Sequence, residues 1–438
     1  MINPTPALAR RLWTLAPAFH AAGIAYPDYL LELTWLLVGR IAPEQIYADA
    51  FPCAAWEKLW DMPEAERFQY YLQLLEDSKN LDDPHLAGIF QQAQSHLQHA
   101  LQLTQLIELV CGITLEEYED LAESYEQLLI LASSDAQSQT YLAPPAALVD
   151  SLVIALQPQP GESIQDPVAT SASFLIAAEQ YTHLSDEEAV QTLAETQLFG
   201  KDCDLVRVRL ALMNCLLHDI YHHEQLPILW EEKLGTQPLA PADVIVSNLL
   251  FCDGNQVADN KIILKVLQAI YHNLTPQGRA AVIVPNSLLS ASGSARQIRY
   301  TLLETCHLHT VLRLPDNLFY PYLVPAQVLF FHRTAVTENT QVWFYDMRHQ
   351  ADFTGFISAY GDDPYALQRP ASEDPYWTSL SREQIAAQGD NLDYAWIEEP
   401  PEETAPLGEI LEETLRALED LRSLLYADFD LNPPDHKT

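Results

Sequence analysis

A doubly wound α/β sheet preceded by an all-helical domain is the fold that this sequence of 438 residues predicts. Two patterns carry that expectation. From Ala7 to about Leu131 apolar residues recur every three to four positions. From Leu148 to Arg333 short apolar runs alternate with amphipathic stretches, the texture of a parallel sheet covered on both faces. The chain is 48% apolar and 19% charged, which marks it as globular, and it is long enough to divide into two or three domains.

In the helical part Leu30, Leu33, Trp35, Leu36 and Leu37 make one apolar face, and Leu97, Leu101, Leu103 and Leu106 continue the spacing. Thr114 with Glu117 three residues on reads as a capped helix start. Residues 133–139 are small and polar and Pro144-Pro145 follows, so a linker is expected there, after a helical domain spanning 1–132. Within the sheet domain, placed at 145–400, strands are expected at 164–167, 198–200, 244–247, 280–285, 309–314 and 326–332, with helices at 206–219, 261–273 and 295–305. Ligands in such sheets sit beyond the carboxyl ends of strands, where the segments starting at Asp166, Gly200 and Asn248 fall. Past Thr334 the chain is richer in proline and acid, with one more strand at 342–346. The acidic tail, 401–438, holds an amphipathic helix at 407–425 with Ile410, Leu411, Leu415, Leu418 and Leu421 on its apolar side, suited to packing on its own domain or on a partner.

Sixty-one acids against 23 bases give a formal net charge of -38, which repels phosphate and cannot by itself drive nucleic-acid binding. DNA contact would have to come through a local basic patch or a partner. Six scattered cysteines form no Cys-x-x-Cys pair and are read as reduced thiols. With no signal core and no apolar run of about 18 residues, a cytoplasmic protein without a membrane span is expected. His218, His222, His223 and Glu224 invite a metal, but packing or surface roles account for them and no metal site is predicted. Glu398-Glu399 and Glu402-Glu403 read as a solvated linker.

The candidate chemistry begins at Asn248-Leu249-Leu250-Phe251, after the apolar run from Asp243 to Ser247. It resembles the Asn-Pro-Pro-Phe of adenine methyltransferases with both prolines replaced. An adenine-N6 methyltransferase flips its base, accepts hydrogen bonds from the exocyclic amine and stacks an aromatic ring on it. Asn248, the Leu249 carbonyl and Phe251 could meet that demand, although Leu249-Leu250 does not preset the backbone as two prolines do. The blocks Asn273 to Pro285, Leu308 to Tyr320, Tyr26 to Thr34 and Arg209 to Asn214 with His218 resemble the modification (M) subunits of type I restriction-modification systems over nearly the whole chain.

The resemblance implies an S-adenosylmethionine-methyltransferase-like sheet domain and a complex with a specificity subunit and other restriction-modification subunits, with an active M subunit as a further candidate partner. The family's cofactor motif, Asp-Pro-Ala-x-Gly-Ser/Thr-Gly-Gly-Phe, corresponds to Asp166-Pro167-Val168-Ala169-Thr170-Ser171-Ala172-Ser173-Phe174. Thr170, Ala172 and Ser173 stand where glycines allow positive φ and close approach of the ligand. Asp202 corresponds to the ribose-binding acid, Glu in the family, and can still accept hydroxyl hydrogen bonds. The Phe-Thr-Pro-Arg motif is unrecognisable in 138–145, and the loop 253–259 after Phe251 is short. Lesions on both pockets, with the scaffold spared, predict a family member that binds no S-adenosylmethionine and acts as a non-catalytic scaffold or regulatory subunit of a restriction or defence complex. Two alternatives are an acidic DNA mimic and an active adenine-N6 methyltransferase with an unusual pocket.

Overall fold

The computed structural model describes residues 6–45, 47–114, 116–138, 140–184, 196–220, 226–236, 240–253, 257–334, 341–348, 350, 352–367 and 376–393. The expected tail helix, Glu398-Glu399, Glu402-Glu403 and His222 to Glu224 lie outside them.

Among the described residues, eight α-helices fill the N-terminal part, from Ala7–Trp13 to Leu121–Ser134. At its centre is Tyr26–Ile41, buried along thirteen of its sixteen residues, so it presents apolar contacts all round rather than the single face that the periodicity suggested. Gly39 lets Trp56 lie directly on the helix, since a Cβ there would come within 2.2 Å of the indole ring. The polar exception, Glu32, accepts from Tyr71 Oη at 2.6 Å, Ser95 Oγ at 2.8 Å and the His96 amide at 2.6 Å. Burial pushes its carboxyl up to about 7 despite those donors. The Thr114 signal is displaced: Glu117 accepts from the Thr114 amide at 2.9 Å, but the turn there is 3-10 and the α-helix begins at Leu121.

The remaining chain builds one sheet. In chain order its strands are β1 Ser163–Asp166, β2 Gln197–Asp202, β3 Ile228–Trp230, β4 Ala242–Asn248, β5 Leu274–Pro285, β6 His307–Arg313, β7 Ala326–His332, β8 Gln341–Asp346 and β9 Trp377–Ser381. They lie in the order β3-β2-β1-β4-β5-β7-β6-β8-β9. The expected strands are all present; β3 and β9 are additions, the first only three residues long and the second half polar. The sheet is mixed rather than purely parallel, because β7 runs against both β5 and β6 and β9 against β8. The 314–325 link holds no helix, so β7 returns as a hairpin partner instead of crossing over. Helices Leu205–Leu217, Asn260–Asn273 and Ser294–Thr305 fall within one residue or two of expectation.

β1 and β4 run parallel, but the order in which strands are added switches from one side of β1 to the other between β3 and β4, which places the crevice of a doubly wound sheet beyond Asp166 and Asn248. The helical part and the sheet share one apolar core, and Met1–Leu392 forms one compact unit. His85 of the helical part hydrogen-bonds the Leu212 carbonyl at 2.9 Å, and Gly88 lies against the Leu212 side chain. The connection between the helical part and the sheet is pinned at its two ends: Ser133 Oγ accepts from the Leu142 and Ala143 amides at 2.8 Å, and Tyr141, Leu142 and Ala143 are buried. Among the described residues no helix is long and apolar enough to cross a membrane.

Candidate functional site

The turn after β1 keeps a glycine-like path without glycines. Thr170 has φ of 44° and Ala172 of 64°, both left-handed, a region that costs an L-residue about 1–2 kcal/mol. Hydrogen bonds hold the path in place. The Ala172 amide donates to the Ala169 carbonyl at 2.6 Å, the Ala169 amide to the Lys201 carbonyl at 2.8 Å, and Asn214 Nδ2 to the Ser171 carbonyl at 2.9 Å. Ser173 Oγ pairs with Ser171 Oγ at 2.7 Å. Thr170, Ala172 and Ser173 are all buried. β2 presses on this turn at Gly200, where a Cβ would come within 2.8 Å of the Ala169 methyl.

Asp202, at the end of β2, is fully engaged. Its Oδ1 accepts from Arg207 Nη2 at 2.6 Å, Arg207 Nε at 2.9 Å and the Asp204 amide at 2.8 Å, while Oδ2 accepts from the Thr170 amide at 3.0 Å. Neither Asp202 nor Arg207 side chain reaches solvent. Burial disfavours the Arg207 charge, but Asp202 more than compensates and holds the guanidinium above its ordinary range. Arg207 reaches this position because Asp204 caps its helix, accepting from the Val206 and Arg207 amides. Both terminal nitrogens of Arg207 also donate to the Phe251 carbonyl at 3.2 Å, so one guanidinium joins the end of β2 to the turn after β4.

That turn, the 3-10 segment Leu249–Phe251, is buried throughout. Asn248 Oδ1 accepts from the Leu250 amide at 3.1 Å, and the Leu250 carbonyl accepts from the Ala258 amide at 2.7 Å. Asn248 Nδ2 donates to Tyr141 Oη at 3.1 Å, and the Tyr141 ring lies parallel on Phe251 with centroids 3.7 Å apart and an 8° interplanar angle. Asp166 accepts from Ser247 Oγ at 2.6 Å and the Val168 amide at 3.0 Å. Its other oxygen is buried with no hydrogen-bond partner among the described residues, and burial pushes the carboxyl up to about 7.

Every expected site residue therefore gathers at the β1/β4 crevice: Asp166, Thr170, Ala172, Ser173 and Asp202 on one side, Asn248 to Phe251 on the other. Two residues that complete the arrangement, Arg207 and Tyr141, were not anticipated. Arg207 left a faint signal as a base in the apolar run Leu205 to Leu212. Tyr141 sat in a stretch read as unrecognisable. Among the described residues no cluster of three or more His, Cys, Asp or Glu could hold a metal, and His218 contacts Gln180.

The model of the family described as N-6 DNA methylase matches residues 116–355. The type I restriction enzyme EcoKI methylase subunit of Escherichia coli (strain K12) is 29% identical over 506 aligned positions, which cover 95% of this chain and 94% of that one. That alignment is longer than this chain, so segments of the relative have no counterpart here. The crystal structure of the EcoKI M protein superposes with a TM-score of 0.52 at 25% identity, covering 99% of this chain and 98% of that one. A structure described by the assembly and conformational transition of the type I restriction-modification system gives 0.68 at 20% identity, covering 98% and 99%.

Proposed function

Because the chain belongs to the N-6 DNA methylase family, among the methylase subunits of type I restriction enzymes, we propose that it has kept their scaffold and lost their chemistry, serving as a non-catalytic scaffold or regulatory subunit. The observation that carries this reading is the Asp202–Arg207 pair. The family's cofactor is S-adenosylmethionine, and the acid expected to take its ribose hydroxyls spends one oxygen on a buried guanidinium and the other on the Thr170 amide. Side chains at 170, 172 and 173 stand where the ligand would need bare backbone. These residues do not fit S-adenosylmethionine in the family's pose, and no reaction step is assigned to them. The base-side motif is equally engaged, with both polar atoms of Asn248 and the face of Phe251 in use. The complexes formed by such methylase subunits suggest a specificity subunit, other restriction subunits or an active M subunit as partners.

Calorimetric titration of the full chain with S-adenosylmethionine tests this. No heat at millimolar cofactor is expected, and saturable binding would overturn the reading. The partnerless oxygen of Asp166 favours a second one, an active adenine-N6 methyltransferase with a rearranged pocket, since it could receive a cationic group. The net charge of -38 favours a third, an acidic DNA mimic that occupies the DNA channel of a partner complex. Displacement of a labelled duplex from such a complex at low salt would distinguish it.

A further inference from the structure

Two of the six cysteines meet where β2 and the turn after β4 come together. Cys203 follows the last residue of β2 and Cys252 follows the 3-10 turn, 49 positions along the chain, yet the Cys203 thiol lies 3.6 Å from the Cys252 carbonyl oxygen. Their spacing in the sequence gives no sign of this, because β1 lies between β2 and β4 and the contact depends on how the turn folds back. Both main chains are held. The Cys203 carbonyl accepts from Trp230 Nε1 at 3.0 Å, and the Cys252 amide donates to the Leu249 carbonyl at 3.4 Å. Arg207 braces the same corner, with Nη2 at 3.7 Å from Cys203 Sγ and 3.2 Å from the carbonyl of Phe251, the residue before Cys252. What remains adjustable is rotation about each Cα–Cβ bond, the movement that joining two neighbouring thiols requires. Cys203 is half-buried and Cys252 buried, so one thiol is open to a dissolved oxidant and its neighbour is reached only through it.

We propose that Cys203 and Cys252 form a redox modification site, which a low-molecular-weight disulfide converts to an intramolecular disulfide stapling the end of β2 to the turn after β4. Cys203 gives its proton to solvent and its thiolate attacks one sulfur of the oxidant, whose other sulfur leaves as a thiolate and is protonated. Cys252 then loses its proton and attacks Cys203 Sγ, expelling the second half of the oxidant as a thiol. One S–S bond breaks in the oxidant and one forms in the protein, and two electrons pass from the protein to the oxidant. Burial, with Asp202 and Asp204 beside it, pushes the Cys203 thiol up to about 11 against the opposing Arg207 charge, and burial pushes Cys252 up to about 12. Exchange is therefore slow at neutral pH, and its rate should rise about tenfold per pH unit between 7 and 9. The site depends on where the thiols lie and not on whether the crevice takes S-adenosylmethionine, so the calorimetric titration and the experiment below fail independently.

The test incubates the full native chain with glutathione disulfide at pH 8.5, blocks remaining thiols with iodoacetamide, and maps the peptides without reduction by mass spectrometry. The peptides that carry Cys203 and Cys252 should appear joined, two hydrogens lighter than their sum. The oxidised chain should melt several degrees above the reduced one, because the staple restricts the unfolded chain, and dithiothreitol should abolish the difference. In Cys203→Ser neither the joined peptide nor the rise in midpoint should appear; if that variant does not fold, the native chain before and after dithiothreitol supplies the comparison. Recovery of both cysteines as alkylated or glutathione-bearing peptides, joining of either to a different cysteine, or an unchanged midpoint in the joined form would each overturn the proposal.

Discussion

Replacing Arg207 with methionine isolates the contact on which the functional reading turns. The substitution keeps much of the apolar stem and deletes the charge. It leaves the Asp202 carboxylate, wholly buried, with only the Asp204 and Thr170 amides as donors, and it strips both side-chain donors from the Phe251 carbonyl. Breaking one side of a buried pair costs about 3–5 kcal/mol, and the lost carbonyl bonds add about 1 kcal/mol. Equilibrium urea unfolding of the full chain, followed by tryptophan fluorescence and circular dichroism, should show the midpoint falling by on the order of 1 M. Adding Asp202→Asn should restore most of the loss, because a neutral pair needs no counter-charge; the double variant should be more stable than Arg207→Met alone, with a coupling of about 3 kcal/mol. The pH dependence carries its own sign. Burial already raises the Asp202 carboxyl, and without Arg207 only the Asp204 and Thr170 amides oppose it, so its neutral form is favoured further and the deficit relative to the native protein should shrink as pH falls. A cost below about 1 kcal/mol, or a double variant whose loss equals the sum of the singles, would refute the reasoning.

Two further perturbations reach neighbouring parts of the site. Ala172→Gly removes a Cβ from a left-handed residue and should leave stability unchanged or raise it by up to about 1 kcal/mol, whereas Ala178→Gly in the helix that follows should lower it by about 1 kcal/mol; the two urea midpoints make the comparison. Asp166 has its folded pKa raised from 3.8 to about 7, so the stability it contributes is complete below about pH 4 and is lost as pH rises toward 7. Asp166→Asn should flatten that part of the native pH–stability profile, by at most about 4 kcal/mol, and an unchanged slope would show that the carboxyl titrates normally.

The apolar pattern made the frame legible. Strands such as β4 and β7 are buried at nearly every position and announce themselves as continuous apolar runs. β3 was silent because three residues behind Pro227 carry no periodicity, and β9 because Trp377–Ser381 alternates a few apolar residues with hydroxyls. Asp166, Asp202 and Asn248 could be located because each ends a strand, but what they bond to depends on contacts between distant segments. Arg207 lies five residues from Asp202, while Tyr141 lies 107 from Asn248. The mixed sheet was hidden for a related reason: the direction of β7 depends on how the 314–325 link folds, and its composition does not specify that.

The turn at 169–173 bears on how an active site can be lost and regained. Its contour is stored in hydrogen bonds with Lys201, Asp202 and Asn214 rather than in the freedom of glycine. A lineage could therefore exchange the glycines without the loop collapsing, and could restore them without remodelling the backbone. On the proposed non-catalytic reading, Arg207 acts as a ratchet. Once its guanidinium holds Asp202 to the Phe251 carbonyl, returning glycine to 170, 172 and 173 reopens space for a ligand but does not release the acid that would bind it. Resurrection would have to begin at position 207.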